Sequence, residues 1–550
     1  MYICRLMHIY TLWYHNSLNN VMMSPNWTKE FKIICQRLLF RLVEILSNVL
    51  FWVVYHGPGE KMPPIENLLL LDTATAIAHK IRTQKVTSVE VLETFVARIK
   101  EVNPILNCVV DERFSEALED ARKVDEFIQS GVKSLQDIEK DTPFLGVPFS
   151  TKDCLQVTGL SHTAGLYCRR NVKAPQDAYA IARMREAGGI PFAITNVSEV
   201  CMWWESNNTV YGRSNNPYNT NHIVGGSSGG EGCLLAAAGS PLGIGSDIGG
   251  SIRMPCFFNG IFGHKPSKGI VSNQGQHPYP SEEQEGFLGV GPMCRFAVDL
   301  LPTLRIIAGK NADRLQLDTK VDIHKIKFYY MEDDGGSAVV SSVHPEIKLA
   351  LRKAVLHLDK AYGIKAQKVQ VKKMKNSAAI WFAKMKTKDG PAFSEHLLDC
   401  KGSVNVYWEL LKWFIGMSKH TFIGITTALV ENWGIKYGCE HHRYLIGQCS
   451  QLYEELQDML GSDGILLYPT HPVPAPYHNE PLVKPFNFSY TGIFNVLGLP
   501  ATHCPLGLNS QGLPIGIQAV ASLNQDRLTL AVALEMEKAF GGWVPPSITV

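Results

Sequence analysis

The chain has 550 residues, 45% hydrophobic and 19% charged, with a formal net charge of +2. Charge this close to balance argues against a nucleic-acid footprint, which needs clustered basic residues. Thirteen cysteines, an odd number without a repeated framework spacing, argue against a disulfide scaffold and for packed, reduced thiols.

Residues 1–30 mix aromatic and polar side chains without a signal-peptide pattern, and Met22 or Met23 is an alternative start. Residues 31–55 are strongly apolar, interrupted by Arg41, Glu44 and Asn48. A bilayer span takes ~20 mainly apolar residues, and Arg41 lies near enough to one end to snorkel. The segment therefore reads as a membrane span or an interfacial anchor, with a buried or homodimer-contact helix as the remaining option. Lys29, Lys32, Arg37 and Arg41 precede its apolar part and only Lys61 follows closely. For a span, this puts the N-terminus in the cytoplasm and the rest of the chain on the lumenal side of an intracellular membrane.

Residues 56–67, with Gly57-Pro58-Gly59 and Pro63-Pro64, read as a linker into one domain over residues 68–550. Asp72-Thr73 caps a helix through Ile81, and Thr87-Ser88-Val89-Glu90 is a capping box opening a helix to Glu101, ended near Asn103-Pro104. Phe114–Gln129 is a third helix. Short apolar runs at 192–194, 241–244 and 465–468 then alternate with helical stretches at 178–187 and 526–540. That alternation reads as α/β with a central sheet flanked by helices.

Two glycine-serine clusters carry the chemistry: Gly225-Gly226-Ser227-Ser228-Gly229-Gly230-Glu231-Gly232 and Gly245-Ser246-Asp247-Ile248-Gly249-Gly250-Ser251-Ile252-Arg253. Glycine lets backbone N–H groups approach a ligand closely, and consecutive N–H groups in such turns form an anion-binding concavity. A serine there has a hydroxyl beside donors aimed at a developing oxyanion. Neither cluster continues as the Gly-Lys-Ser/Thr of a phosphate loop, and Ile248 stands where a dinucleotide fingerprint needs glycine. A flexible linker fits poorly between the apolar runs at 233–238 and 252–262. No histidine lies between the serines, but Lys152 lies upstream, at the end of an apolar run.

In order along the chain, Pro143-Phe144-Leu145-Gly146-Val147-Pro148-Phe149-Ser150-Thr151-Lys152-Asp153, Ile194-Thr195-Asn196-Val197-Ser198-Glu199, both glycine-serine clusters, Gly263-His264-Lys265-Pro266-Ser267 and Gly512-Leu513-Pro514-Ile515-Gly516-Ile517-Gln518 resemble the amidase signature family. Met202-Trp203-Trp204-Glu205-Ser206 and the stretch from Phe257 to His264 look most like its fatty-acid amide hydrolases, type 2 branch. The resemblance implies a Ser–Ser–Lys triad: Ser251 as nucleophile, Ser227 as bridging serine behind a cis Gly226–Ser227 peptide, and Lys152 as base. The backbone N–H groups of Ile248, Gly249, Gly250 and Ser251 are expected to hold the oxyanion. Cys201 matches a substrate-contacting position of the type 1 hydrolases. The resemblance also implies a single large α/β domain on a central mixed twisted sheet flanked by helices, beside the N-terminal membrane-associated helix, with no cofactor and no metal.

Serine needs a base to become an alkoxide, and a lysine serves only when its proton is off, a state that burial favours. Leu166, after Thr163-Ala164-Gly165, stands where small-amide amidases usually carry serine, which favours a lipid-like acyl chain. Residues 404–433 hold more apolar surface than a surface helix requires; by position they resemble the region where fatty-acid amide hydrolases carry a membrane-facing cap over the acyl channel, with a core helix pair as the other reading. His162, His222 and His264 read as satisfied core or loop residues, and His441-His442 matches no metal spacing. Three functions stay open: a membrane-associated serine amidase for fatty-acid amides, an amidase of small or polar amides or an amidotransferase subunit, and an inactive lipid-binding relative.

Overall fold

The computed structural model describes residues 26–431 and 434–547, so the alternative starts at Met22 and Met23 and the far end of the 404–433 stretch lie outside the described residues. Eleven strands form one sheet. In chain order they are β1 (Val109–Glu112), β2 (Pro148–Lys152), β3 (Ile190–Thr195), β4 (Leu242–Asp247), β5 (Phe262–Lys265), β6 (Gly289–Cys294), β7 (Lys327–Tyr330), β8 (Gln367–Lys368), β9 (Gly464–Pro469), β10 (Ala501–Leu508) and β11 (Pro514–Ala521). Across the sheet the order is β1-β3-β2-β4-β6-β5-β10-β11-β9-β7-β8. β2 runs parallel to both β3 and β4, β7 runs parallel to β8 and β9, and the central pairings are antiparallel. The expected α/β domain is thus built on a mixed sheet.

β2, β3, β4 and β9 are buried at every residue. That is why they appear in the sequence as short continuous apolar runs rather than alternating ones. Helices cover the sheet. Those used below are α1 (Asn26–Tyr55), α2 (Ala74–Arg82), α3 (Ser88–Leu106), α4 (Phe114–Gln129), α5 (Tyr179–Glu186), α6 (Gly229–Ala236), α7 (Arg253–Asn259), α8 (Ser377–Met385), α9 (Val406–Phe414), α10 (Phe422–Glu431), α11 (Ser489–Val496) and α12 (Asp526–Phe540).

Local chemistry sets the helix starts. Thr73 Oγ1 accepts the N–H of Ala76 at 2.9 Å and Thr87 Oγ1 that of Glu90 at 3.0 Å, each satisfying a donor the helix cannot. One end differs from expectation. α3 passes through Asn103-Pro104 and stops at Asn107, which is left-handed at φ 48°. Proline in the last turn removes one hydrogen bond near an end that is already short of partners. Asn103 Oδ1 fastens the exit from the helix by accepting the N–H groups of Cys108 and Val109, both at 2.8 Å.

α1 does not stand away from the body. Arg37 and Arg41 donate to the carbonyls of Gly336 and Val340 at 2.5 and 3.3 Å. Lys484 Nζ donates to Asn48 Oδ1 at 2.6 Å, and Asn479 donates to the Tyr55 hydroxyl at 3.1 Å. Phe40 and Ser47 are buried on that side, while Leu38, Leu42, Ile45, Leu46, Val49, Leu50 and Trp52 face outward. The 404–433 stretch divides in two. α9 exposes Tyr407, Trp408, Leu411 and Phe414, whereas α10 buries Gly424, Ile425 and Ala428.

Candidate active site

β2 and β4 lie side by side and parallel, Thr151 opposite Ile244, so both end at the same edge. Ligand sites of α/β sheets characteristically sit beyond such carboxyl ends. Lys152, the last residue of β2, is completely buried. Its Nζ donates to Ser227 Oγ at 2.9 Å, to Ser246 Oγ at 3.1 Å and to the Ser246 carbonyl at 3.4 Å. Among the described residues no carboxylate forms an ion pair with it. Two carboxyls nearby, Asp153 and Glu231, are each pushed up to about 7, chiefly by burial. Asp153 accepts from Thr163, and Glu231 from Ser150 and Thr195.

Ser227 follows two glycines and a cis Gly226–Ser227 peptide, as expected. A side chain at Gly226 would run into the Trp203 carbonyl. Ser228 N–H donates to the Ser251 carbonyl at 3.2 Å, which joins the two serine segments. Ser251 lies between β4 and α7 and is nearly buried.

The turn that carries Ser251 is folded around one carboxylate. Asp247 Oδ1 accepts the N–H of Gly250 at 2.6 Å, and Oδ2 accepts that of Ile252 at 3.2 Å. Arg253 Nε and Nη2 donate to the same carboxylate at 3.0 and 3.1 Å, with both side chains fully buried. Burial pushes Asp247 up, but the charge and hydrogen bonds of Arg253 outweigh it and hold the carboxyl at about 2. Asn495 donates to the Asp247 carbonyl at 2.7 Å and accepts from Arg253 at 2.6 Å, and Gln518 accepts from Arg253 at 2.9 Å. Outside this knot, Thr491 Oγ1 donates to the Gly249 carbonyl at 2.8 Å, and Trp381 Nε1 to that of Ile248 at 3.0 Å. Gly250 sits at φ 123°, where an added Cβ would also collide with Thr491.

This wiring bears on the expected oxyanion donors. The N–H of Gly250 is engaged by Asp247. Among the described residues, no protein acceptor engages those of Ile248, Gly249 or Ser251. Cys201, expected to touch substrate, is buried at φ 55°, and burial beside Cys154 holds its thiol well above the ordinary value. Cys154 Sγ lies 3.7 Å from Ser246 Oγ, so Cys201 stands on the lysine side of the site.

Sequence reasoning missed the aromatic wall. Trp381 on α8 and Phe488, just before α11, meet edge to face with centroids 4.8 Å apart, and both lie at contact distance from a Cβ built on Gly249. Phe382 packs on Phe486 and Phe488. Nothing in Trp381-Phe382 or Phe486 to Phe488 distinguishes them in sequence from ordinary core aromatics. The histidines are engaged elsewhere: His162 by the Cys154 carbonyl, His222 by that of Ala475, and His264 by Thr502 and Asp526.

The family model described as Amidase matches residues 90–530. A Homo sapiens protein named fatty-acid amide hydrolase 2 is 48% identical over 532 residues, covering 95% of this chain and 99% of that one. A Danio rerio protein named fatty-acid amide hydrolase 2-A is 47% identical over 526 residues, covering 94% and 98%. A solved structure titled fatty acid amide hydrolase superposes with a TM-score of 0.69 at 22% identity, covering 88% of this chain and 87% of that one, a likeness of fold.

The Asp247 knot yields a prediction. Asp247→Ala leaves Arg253 buried and unpaired, which costs about 3–5 kcal/mol and unfolds the turn that carries Ser251. Urea denaturation should show that loss together with loss of amide hydrolysis. Because the folded Asp247 titrates at about 2, below the ordinary ~3.9, its contribution is fully present above the ordinary value. It is lost as pH falls through about 2. The stability difference between wild type and Asp247→Asn should therefore shrink below pH 4, and a constant difference would contradict the assignment.

Proposed function

The chain belongs to the amidase family, and on that premise we propose that it is a membrane-associated serine hydrolase that cleaves fatty-acid amides to free fatty acid and amine. The observation that carries the reading is the 2.9 Å contact between a fully buried Lys152 and Ser227, one strand away from the turn that bears Ser251. Ser251 Oγ attacks the amide carbonyl carbon while its proton passes to Ser227 and that of Ser227 to Lys152. The N–H groups of Ile248, Gly249 and Ser251 receive the oxyanion. The relay then runs backward: Lys152 returns its proton through Ser227 to the leaving nitrogen, the C–N bond breaks, and the amine departs. Water, deprotonated along the same path, attacks the acyl-enzyme ester and releases the acid. Amides need the return proton more than esters do, because an amide anion leaves poorly.

A fatty acyl substrate is supported by relatives named for that activity and by the aromatic wall beside Gly249. Residues 68–550 form the catalytic domain and 56–67 connect it to α1. Both α1 and α9 present large apolar side chains outward, which suits a lipid surface. Residues 34–55 are long and apolar enough to cross a bilayer. The polar contacts from Arg37 to Tyr55, however, hold one side of α1 along the catalytic domain. A spanning helix needs lipid or protein around it and no water-facing body alongside, so the contacts favour an in-plane interfacial anchor.

Four measurements test the proposal. Ser251→Ala should abolish amide hydrolysis and labelling by a fluorophosphonate while keeping the melting temperature; normal labelling of the variant would remove Ser251 from the role. Lys152→Ala should slow amide cleavage by about 10²–10⁴-fold and the matched ester by clearly less, and an equal loss on both would contradict the proton return. Activity on glutamine or acetamide with none on long-chain amides would instead favour the small-amide reading. For the membrane, alkaline carbonate should release the full-length protein from microsomes. Retention would restore the span, and a stable dimer in detergent-free solution would assign the outer face of α1 to a second copy.

A further inference from the structure

The short turn Glu199–Cys201 lies between two parts of the molecule. On one side Cys201 sets its thiol against Cys154, beside Ser246 and Lys152. On the other, Val200 is buried with Leu166, Phe393, Leu397, Val406 and Ala428, the small core beneath α9 and α10. Val200 and Cys201 both adopt left-handed backbone, φ 58° and 55°. For a β-branched residue that conformation is strained, and it persists only where the surroundings enforce it.

Glu199 provides that restraint. Its buried carboxylate accepts from His420 Nδ1 at 2.9 Å, and from the N–H and hydroxyl of Thr421 at 2.8 and 2.6 Å. Thr421 precedes α10, so the negative charge lies at the end of the helix whose dipole favours it. Gly424 leaves the space: a Cβ there would stand 2.6 Å from Glu199 Oε2. The far end of α10 is fastened as well. Glu431 accepts from Lys386 Nζ at 2.7 Å and from the N–H of Phe393 at 2.5 Å. Lys386 directly follows α8, whose Trp381 holds the Ile248 carbonyl. α10 is thus tied at one end to the lysine side of the site and at the other to the oxyanion turn, with the exposed aromatics of α9 packed on it.

We propose that Glu199 is a positioning residue, clamping the α9–α10 hairpin to the turn beside Lys152 so that a long acyl chain meets a seated apolar entrance. This rests on the fatty-acid amide reading above. Lys152 and Ser227 are held by Ser246 and by β2, not by Glu199. Loss of the clamp therefore affects binding of a chain long enough to reach the hairpin and spares a short one.

The test measures steady-state hydrolysis of a long-chain and a butyryl aryl amide by wild type, Glu199→Ala, Glu199→Gln and Thr421→Val. Glu199→Ala should raise KM for the long-chain amide by about tenfold, the equivalent of one charge-assisted hydrogen bond, with kcat and the butyryl amide's KM little changed. Glu199→Gln keeps a carbonyl oxygen for Thr421 and should recover most of the affinity. Thr421→Val, which removes one donor, should fall between them and serves if Glu199→Ala does not fold. An equal fall in kcat on both substrates, or an unchanged long-chain KM, would overturn the proposal. A wild type that does not prefer the long-chain amide would contradict the substrate reading instead. In that case trypsin reads the clamp directly: cleavage at Lys412 and Lys419 should be faster in Glu199→Ala, and equal rates would overturn it.

Discussion

The site depends on a buried charge pair that takes no direct part in the proposed chemistry. Asp247 and Arg253 sit at the two ends of the turn that carries Ser251, and each is fully buried. A buried ion pair is a weak source of net stability, but removing one partner is severe. Here the pair is completed by Asn495, Gln518 and the backbone N–H groups of Gly250 and Ile252. What the arrangement secures is shape. It bends a glycine-rich chain so that the N–H groups of Ile248, Gly249 and Ser251 meet no protein acceptor among the described residues, while Trp381 and Thr491 hold the Ile248 and Gly249 carbonyls. Electrostatic catalysis needs donors fixed before the charge appears, and glycine alone would leave them mobile.

The lysine side is fixed differently. Lys152 gains its position from β2, the adjacent strand β4 and the Ser246 pair of acceptors. Its carboxyl neighbours Asp153 and Glu231 are occupied with Thr163, Ser150 and Thr195 and form no ion pair with it. Lys152 is thus bounded by two hydroxyls and a carbonyl rather than by a paired carboxylate, with Ser227 in direct contact. The two serine segments meet at Ser228, whose N–H donates to the Ser251 carbonyl and whose hydroxyl donates to the Ser246 carbonyl, so the proposed relay crosses where the two segments are stitched together.

Local features were legible in the sequence. The caps at Thr73 and Thr87, the helix Phe114–Gln129 and the closing helix Asp526–Phe540 follow from side chains within a few residues of one another. The glycine-serine clusters and Lys152, picked out together in the sequence, are brought together in the fold, Lys152 against Ser227 and Ser228 against Ser251. What escaped was long-range. Asp247 and Arg253 were read as parts of a motif, while their partners Asn495 and Gln518 lie more than two hundred residues away. Trp381 and Phe488 look like core aromatics until α8 and α11 bring them beside Gly249. Gly250 was counted as an oxyanion donor because spacing cannot show that Asp247 turns back to take its N–H. The helix ran on past Pro104 because proline there withholds only one donor in the last turn, and Asn103 fastens the exit by accepting from Cys108 and Val109. The stretch from 404 combined both readings, with an exposed helix packed on a buried one.

α1 and α9 both turn large apolar side chains outward; α1 is fastened to the body by polar contacts, and α9 packs on α10, which Glu199 holds. The central claim is that the acyl group passes through Ser251. It is tested most directly by acid-quenching the enzyme during turnover of a long-chain acyl ester and locating the added mass by peptide sequencing in a mass spectrometer. The account predicts the acyl mass on Ser251. An acyl group on Ser227 or on Cys154, or none at all during the burst, would contradict it.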